Sequence, residues 1–305
     1  MIHQSHFIPD MFNHSLRNIA FALAVVLTSA ATAQKVNEPK PSSDDWGKPY
    51  QPFRIAGNLY YVGTYELACY LIVTSKGNIL INTGMAASAK QIEDNIKALG
   101  FKFSDIKILL TTQAHFDHMG AMAFIKNKTG AQFMVDEGDA EVAEDGGSTD
   151  YALGGHGSYY APVMPDRLLH DGDTIRLGDM QLKILHHPGH TKGSCSFLFT
   201  VKDEKRSYRV LIANMPTIVT DKPFNAIADY PGIAKDYAYT LAAMKNLSFD
   251  IWLASHASQF DLQKKHHPGD AYDPAAFFDR AGYDAELNDL KREFDKKMQQ
   301  KVDPE

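Results

Sequence analysis

Thr111-Thr112-Gln113-Ala114-His115-Phe116-Asp117-His118-Met119-Gly120 is the stretch on which the reading of this chain turns. It follows Ile106–Leu110, a short apolar run that reads as a buried strand, and it precedes a helical pattern. His115, Asp117 and His118 place imidazole and carboxylate donors within one short loop at a strand end. That donor set suits zinc, which accepts nitrogen and oxygen ligands readily. In an extended loop residues 113, 115 and 117 point one way while 118 turns aside, so one loop can serve two adjacent metals.

Two further segments carry histidines to strand ends. His186-His187-Pro188-Gly189-His190-Thr191-Lys192-Gly193-Ser194 puts His190 on a Pro-Gly turn between strands, and Ala254-Ser255-His256-Ala257 puts His256 just past the last apolar strand. Any one of these histidines, alone, is best read as a packed core or surface residue. Together with the motif loop they make a metal site the better reading. His186 and His187 fit either a supporting or a purely structural role, and His170, His266 and His267 read as surface residues.

In this order the motifs resemble the metallo-β-lactamase superfamily. The family's H-x-H-x-D-H signature is matched at Gln113-x-His115-x-Asp117-His118, its later histidines at His190 and His256, and its apolar strand ending in D-x-G at Ile79–Gly84, with Asn82 for Asp. Two departures stand out. Gln113 replaces the first motif histidine, and an amide oxygen is a weaker zinc ligand than imidazole. Asn214 and Met215 stand where glyoxalase II-like and nuclease-like members carry a metal-bridging Asp, which argues against phosphodiesterase and thioester-hydrolase branches. The chain looks like subclass B3, and Gln113 with Asn214-Met215-Pro216-Thr217 resembles its GOB-type branch.

The resemblance implies an α+β fold, an αββα sandwich of two mixed β-sheets packed face to face with helices outside. It implies two zinc ions at one edge of the sheets, one held by Gln113, His115 and His190 and the other by Asp117, His118 and His256. The implied reaction is hydrolysis of the β-lactam amide bond of penicillins, cephalosporins and carbapenems by a zinc-bound hydroxide, conferring antibiotic resistance. Asp117 is the implied catalytic residue, orienting the attacking water. Thr217 and Lys192 are the expected partners of the substrate carboxylate, and His156 an expected substrate contact. The Gly/Tyr/Pro-rich stretch 145–165 and the arm near Trp46 are expected to rim the cleft. Other readings are a lactonase-like exported hydrolase and a non-catalytic zinc-binding protein.

The element pattern agrees with a sandwich. Strands are expected at Leu59–Gly63, Cys69–Val73 and Ile79–Asn82, with Lys76-Gly77-Asn78 as a hairpin turn, and later at 167–169, 173–177, 180–186, 195–201, 208–213 and Ile251–Ala254. Helices are expected near 86–99, 119–128, 137–144, 231–247 and 274–300. No linker divides 34–305, which reads as a single domain.

The 44% hydrophobic and 22% charged composition excludes a disordered chain or a multi-span membrane protein. A net charge of −6 with no basic block argues against nucleic acid as a partner. Residues 1–33 read as a signal peptide: Arg17, the apolar run Ile19–Leu27, and Ala31-x-Ala33 as the cleavage site. Met1 and Met11 both stand as starts. Export to the periplasm, with no membrane attachment after cleavage, permits a disulfide. Cys69 and Cys195 suit either a bridge or two buried thiols. Nothing demands a dimer, and a monomer is expected.

Overall fold

The computed structural model describes residues 35–300; the signal-peptide reading lies outside the described residues. Strands β1 (Phe53–Ala56), β2 (Leu59–Tyr61), β3 (Tyr70–Thr74), β4 (Gly77–Ile81), β5 (Ile106–Leu110), β6 (Gln132–Asp136) and β7 (Arg167–Leu169) form a seven-stranded sheet in sequence order. Its first four strands are antiparallel and the rest are parallel. The second sheet has the order β12-β11-β10-β9-β8, built from β8 (Thr174–Leu177), β9 (Met180–His186), β10 (Cys195–Lys202), β11 (Ser207–Ala213) and β12 (Ile251–Ala254). Both sheets are therefore mixed, since β11 and β12 run parallel.

The alternation of side chains explains why the strands read as unbroken apolar runs. Tyr70, Ile72, Ile79, Ile81, Ile108 and Leu110 face the second sheet, where they join Leu182, Ile184, Phe197, Phe199, Val210 and Ile212 in one buried cluster. Their neighbours Leu71, Leu80, Leu109, Phe133 and Val135 point the other way. There they meet Ile92 and Ile96 of α1 (Ser88–Ala98). The short α2 (Phe116–Met119) is followed by α3 (Met122–Thr129), whose Met122 and Ile125 join the same outer cluster. A sheet buried on both faces has no polar face to write into its sequence. After α4 (Ala140–Glu144), the helices α5 (Ile233–Lys245), α6 (Leu262–Lys265) and α7 (Arg280–Met298) contribute Tyr237, Leu241, Leu262, Leu287 and Phe294 to the cluster shared with the second sheet.

Several expectations shift in detail. The β3–β4 turn is Ser75-Lys76, because Thr74 pairs with Gly77; Gly77 begins β4 instead of sitting in the turn. The C-terminal helix is broken: Pro274–Phe277 is a single 3-10 turn, and α7 starts afresh with Asp279 accepting from Gly282 N. His266 is buried, stacked on Phe53 with ring centroids 3.6 Å apart, and is not a surface residue. Cys69 and Cys195 are both free thiols, and burial pushes both upward in pKa.

The end of β4 fixes where the motif loop can go. Asn82 adopts a left-handed backbone (φ 61°), a conformation in which asparagine is among the best tolerated residues. Its side-chain oxygen accepts from Thr112 N at 2.9 Å and from the hydroxyls of Thr111 and Thr112 at 3.3 and 3.2 Å. Asn82→Ala leaves the buried Thr112 N–H unpaired, so a loss of about 1–3 kcal/mol in unfolding free energy is expected, while Asn82→Asp, which keeps the acceptor, costs less. Urea titration of the three proteins checks the order; equal stability of Asn82→Ala and wild type contradicts it.

Candidate metal centre

The motif loop leaves β5 at Leu110 and is gripped on both flanks. Thr83 donates to the carbonyl of His118 through both its N–H and its hydroxyl, each at 2.9 Å, and Gly120 N donates to Gly84 O at 2.8 Å. The approach is so close that a Cβ on Gly120 would lie 2.4 Å from Ala86 N, which only glycine allows. His115 stands just before α2 in extended conformation; Asp117 and His118 lie within that helix. The helix is a single turn, and its length is set by these contacts rather than by propensity.

Asp117, His118 and His256 converge from the motif loop and from the end of β12. Their ligand atoms all lie within 4.8 Å of one another. Asp117 Oδ2 is 3.2 Å from Nε2 of His118 and 3.2 Å from Nε2 of His256. The two imidazole rings stand at 82°, with centroids 5.1 Å apart. On its far side His256 directs Nδ1 to Glu66 Oε1 at 3.4 Å. Glu66 is itself held by Ser258, whose hydroxyl donates at 2.6 Å.

The second expected grouping is Gln113, His115 and His190, of which the structure brings the two histidines together. The rings of His115 and His190 lie 4.9 Å apart. Each histidine has one nitrogen engaged. His115 Nε2 is 3.3 Å from Asp150 Oδ2, and His190 Nδ1 is 2.8 Å from the carbonyl of Thr217. Partners of this kind fix the tautomer and leave the opposite nitrogen, Nδ1 of His115 and Nε2 of His190, open as a ligand. Gln113 is 3% exposed and its Oε1 is buried without a hydrogen-bond partner.

These orphaned atoms are the test of whether a metal fits. Buried polar atoms are almost always paired. Yet Gln113 Oε1 and both ring nitrogens of His118 make no hydrogen bond, though His118 Nε2 sits near Asp117. One cation beside Gln113 Oε1 and another beside one ring nitrogen of His118 would each satisfy one of these atoms, and the nitrogen and oxygen donors are those zinc accepts. Electrostatics agree. Burial opposes charge on Asp117, but His118 and His256 hold its carboxyl well below the usual range. Burial also favours neutral His256, but Asp117 and Glu66 overcome it and hold its pKa at about 9. His118 and His190 are lowered by burial, His190 to about 3, so both are poised as neutral ligands.

The expected substrate contacts fare differently. Lys192 follows the loop of His190, with its ammonium 5.9 Å from the centre of the Tyr230 ring. His156 is exposed in the 145–165 stretch, which holds neither helix nor strand of any length but is tied down by Asp145 and Asp150 side chains. Thr217 has its carbonyl and hydroxyl both within 2.9 Å of His190 Nδ1, so it supports a histidine. Trp46 packs against His256 and Phe116, with centroids 5.8 and 6.0 Å away. Glu66, Asp139 and Asp150 escape sequence reading altogether, since no spacing ties them to the motif.

The superfamily profile described as metallo-beta-lactamase superfamily matches residues 66–203. The class B3 di-zinc metallo-beta-lactamase LRA-12 from an Alaskan soil metagenome is 69% identical, with a TM-score of 0.86 over 86% of this chain and 100% of that one. The chain belongs to the metallo-β-lactamase superfamily. Within it the metallo-beta-lactamase GOB-18 from Elizabethkingia meningoseptica is 57% identical, with a TM-score of 0.87, covering 88% of this chain and 99% of that one. Curated relatives are covered less fully. An uncharacterized protein of Aquifex aeolicus, 31% identical over 157 residues, is matched over 50% of this chain and 66% of its own length.

In a metallo-β-lactamase scaffold the weak point of this site is the amide. Gln113 should hold its metal more loosely than the carboxylate-containing group does, and Gln113→His should tighten it. Zinc analysis after dialysis against limiting zinc should show the variant keeping more metal per chain than wild type. Equal retention of two tightly held zincs by both would contradict the argument.

Proposed function

We propose that this protein is an exported, zinc-dependent β-lactamase of subclass B3 with the GOB-type ligand set. It acts in the periplasm as a monomer, with residues 1–33 removed and 34–305 forming the single domain. Its substrates are penicillins, cephalosporins and carbapenems. The observation that carries the reading is the convergence of Asp117, His118 and His256, with the rings of His115 and His190 also in contact, in a chain 69% and 57% identical to two metallo-beta-lactamases. Among the described residues no helix is long and apolar enough to cross a membrane.

Two zinc ions would be held by the two groups already described. Zinc bound there lowers the pKa of a coordinated water to about 7 and polarises a carbonyl. The reaction adds water across the amide C–N bond: the C–N bond breaks, one proton goes to nitrogen, and the new carboxylic acid gives its other proton to solvent as it ionises. The chain's own part is orientation. Asp117, kept ionised between two histidines, is an acceptor at a fixed place for the proton of the attacking water. Glu66 and Thr217 hold the rings of His256 and His190 in place. Lys192 supports the substrate carboxylate, and Trp46 with the 145–165 stretch walls the cleft. Met215 is buried and offers no hydrogen-bond donor.

A serine mechanism has no footing in the geometry. Ser104-Asp105-Ile106-Lys107 has the S-x-x-K spacing of serine β-lactamases. It lies at the start of β5, whereas the ligand loop leaves that strand's other end, and Lys107 Nζ is turned to the carbonyl of Ser104 at 3.0 Å.

Hydrolysis of a chromogenic cephalosporin should be abolished by EDTA, restored by zinc and untouched by clavulanate. Asp117→Ala should lose three or more decades in rate, roughly 4 kcal/mol of transition-state stabilisation. Full turnover by metal-free protein, or more than about a tenth of wild-type rate in Asp117→Ala, overturns the proposal.

A further inference from the structure

Asp139 lies at the end of a single turn after β6, fully buried, and contributes nothing to either ligand group. Its carboxylate nonetheless joins them from behind. Oδ2 accepts from Ala114 N at 2.9 Å and from the Thr191 hydroxyl at 2.7 Å, and Oδ1 accepts from Gly193 N at 2.7 Å. Ala114 is the residue between Gln113 and His115. Thr191 and Gly193 follow His190. All three ligands of the Gln113 group are thus carried on backbone pinned to one carboxylate.

The contact leaves no slack. A Cβ on Gly193 would lie 2.3 Å from Asp139 N, and one on Gly138 would lie 2.5 Å from the carbonyl of Lys192. The Asp117 group is anchored elsewhere: His118 by Thr83, and His256 by Glu66. From this division of anchors we infer that Asp139 is a positioning residue dedicated to the Gln113–His115–His190 metal position, fixing the spacing of two loops where the amide ligand is too weak to fix it by itself. The inference rests on the two-zinc reading above. A ligand that binds weakly tolerates little misplacement, because the metal cannot pull the loops together against their own preferences.

The test is a chelator-competition titration of zinc that resolves the two affinities. Asp139→Asn turns an amide N–H₂ toward one of the donors that a carboxylate oxygen now satisfies. It should weaken the looser zinc about 10- to 100-fold, the range typical of lost supporting contacts, and leave the tighter zinc within about 3-fold of wild type. Thr191→Val removes one of the three bonds and should weaken the same zinc less. If Asp139→Asn does not fold, as judged by its thermal melt, Thr191→Val carries the test. Folded variants in which both affinities fall together, or neither moves, overturn the inference while wild type still holds two zincs. Wild type that saturates with fewer than two zincs overturns the two-zinc reading and this inference with it.

Discussion

The backbone of Thr111–Ala114 is buried and belongs to neither helix nor strand, so its N–H and C=O groups need partners from elsewhere. Three other segments and the loop's own Thr111 supply them. Asn82 takes the N–H of Thr112, the Thr111 hydroxyl takes that of Gln113, and Asp139 takes that of Ala114. Cys195 N donates to the carbonyl of Thr112, so β10 begins against the start of the motif loop. Satisfying one short buried loop therefore draws β4, β6 and β10 to the same point. Candidate ligands from distant parts of the sequence meet there.

The same logic closes the sandwich at that end. Tyr70 crosses from the first sheet to donate to Ala254 O at 2.6 Å, and Ala68 N donates to Ser255 O at 3.1 Å. Leu67 bridges His256, and Ala257 N donates to Glu66 O. His256 therefore owes its place to the strand pairing that also brings up Glu66. Once gathered, the side chains are held in a buried, polar and partly unpaired state that a cation resolves. Such a cluster is costly in an empty apolar core and reasonable as a binding site.

The strands around the site were legible because they are short apolar runs ended by turn chemistry. Ile106–Leu110 and Ile251–Ala254 have the expected bounds. The candidate ligands are legible because the family pattern fixes their spacing. The supporting carboxylates are not. Asp139 sits in the acidic stretch 137–144, where a helix is expected, and its burial comes from the fit of Gly138 and Gly193 against neighbouring backbone. Asp150 lies among turn residues, where an aspartate ordinarily caps local N–H groups; it does so for Ala152 and Leu153 and also meets His115. His266 reads as a surface residue because nothing local announces Phe53, far away in sequence, as its stacking partner. These misses share one cause: each residue's role is set by a partner that folding brings near.

The central claim is that two metal positions lie side by side, the one with the carboxylate held more firmly than the one with the amide. An anomalous-difference map at the zinc edge, from crystals of the full mature chain grown with zinc, tests it directly. The account predicts two peaks, the stronger among Asp117, His118 and His256 and the weaker among Gln113, His115 and His190. A single peak confined to the Gln113 group, or none at either place, would contradict it.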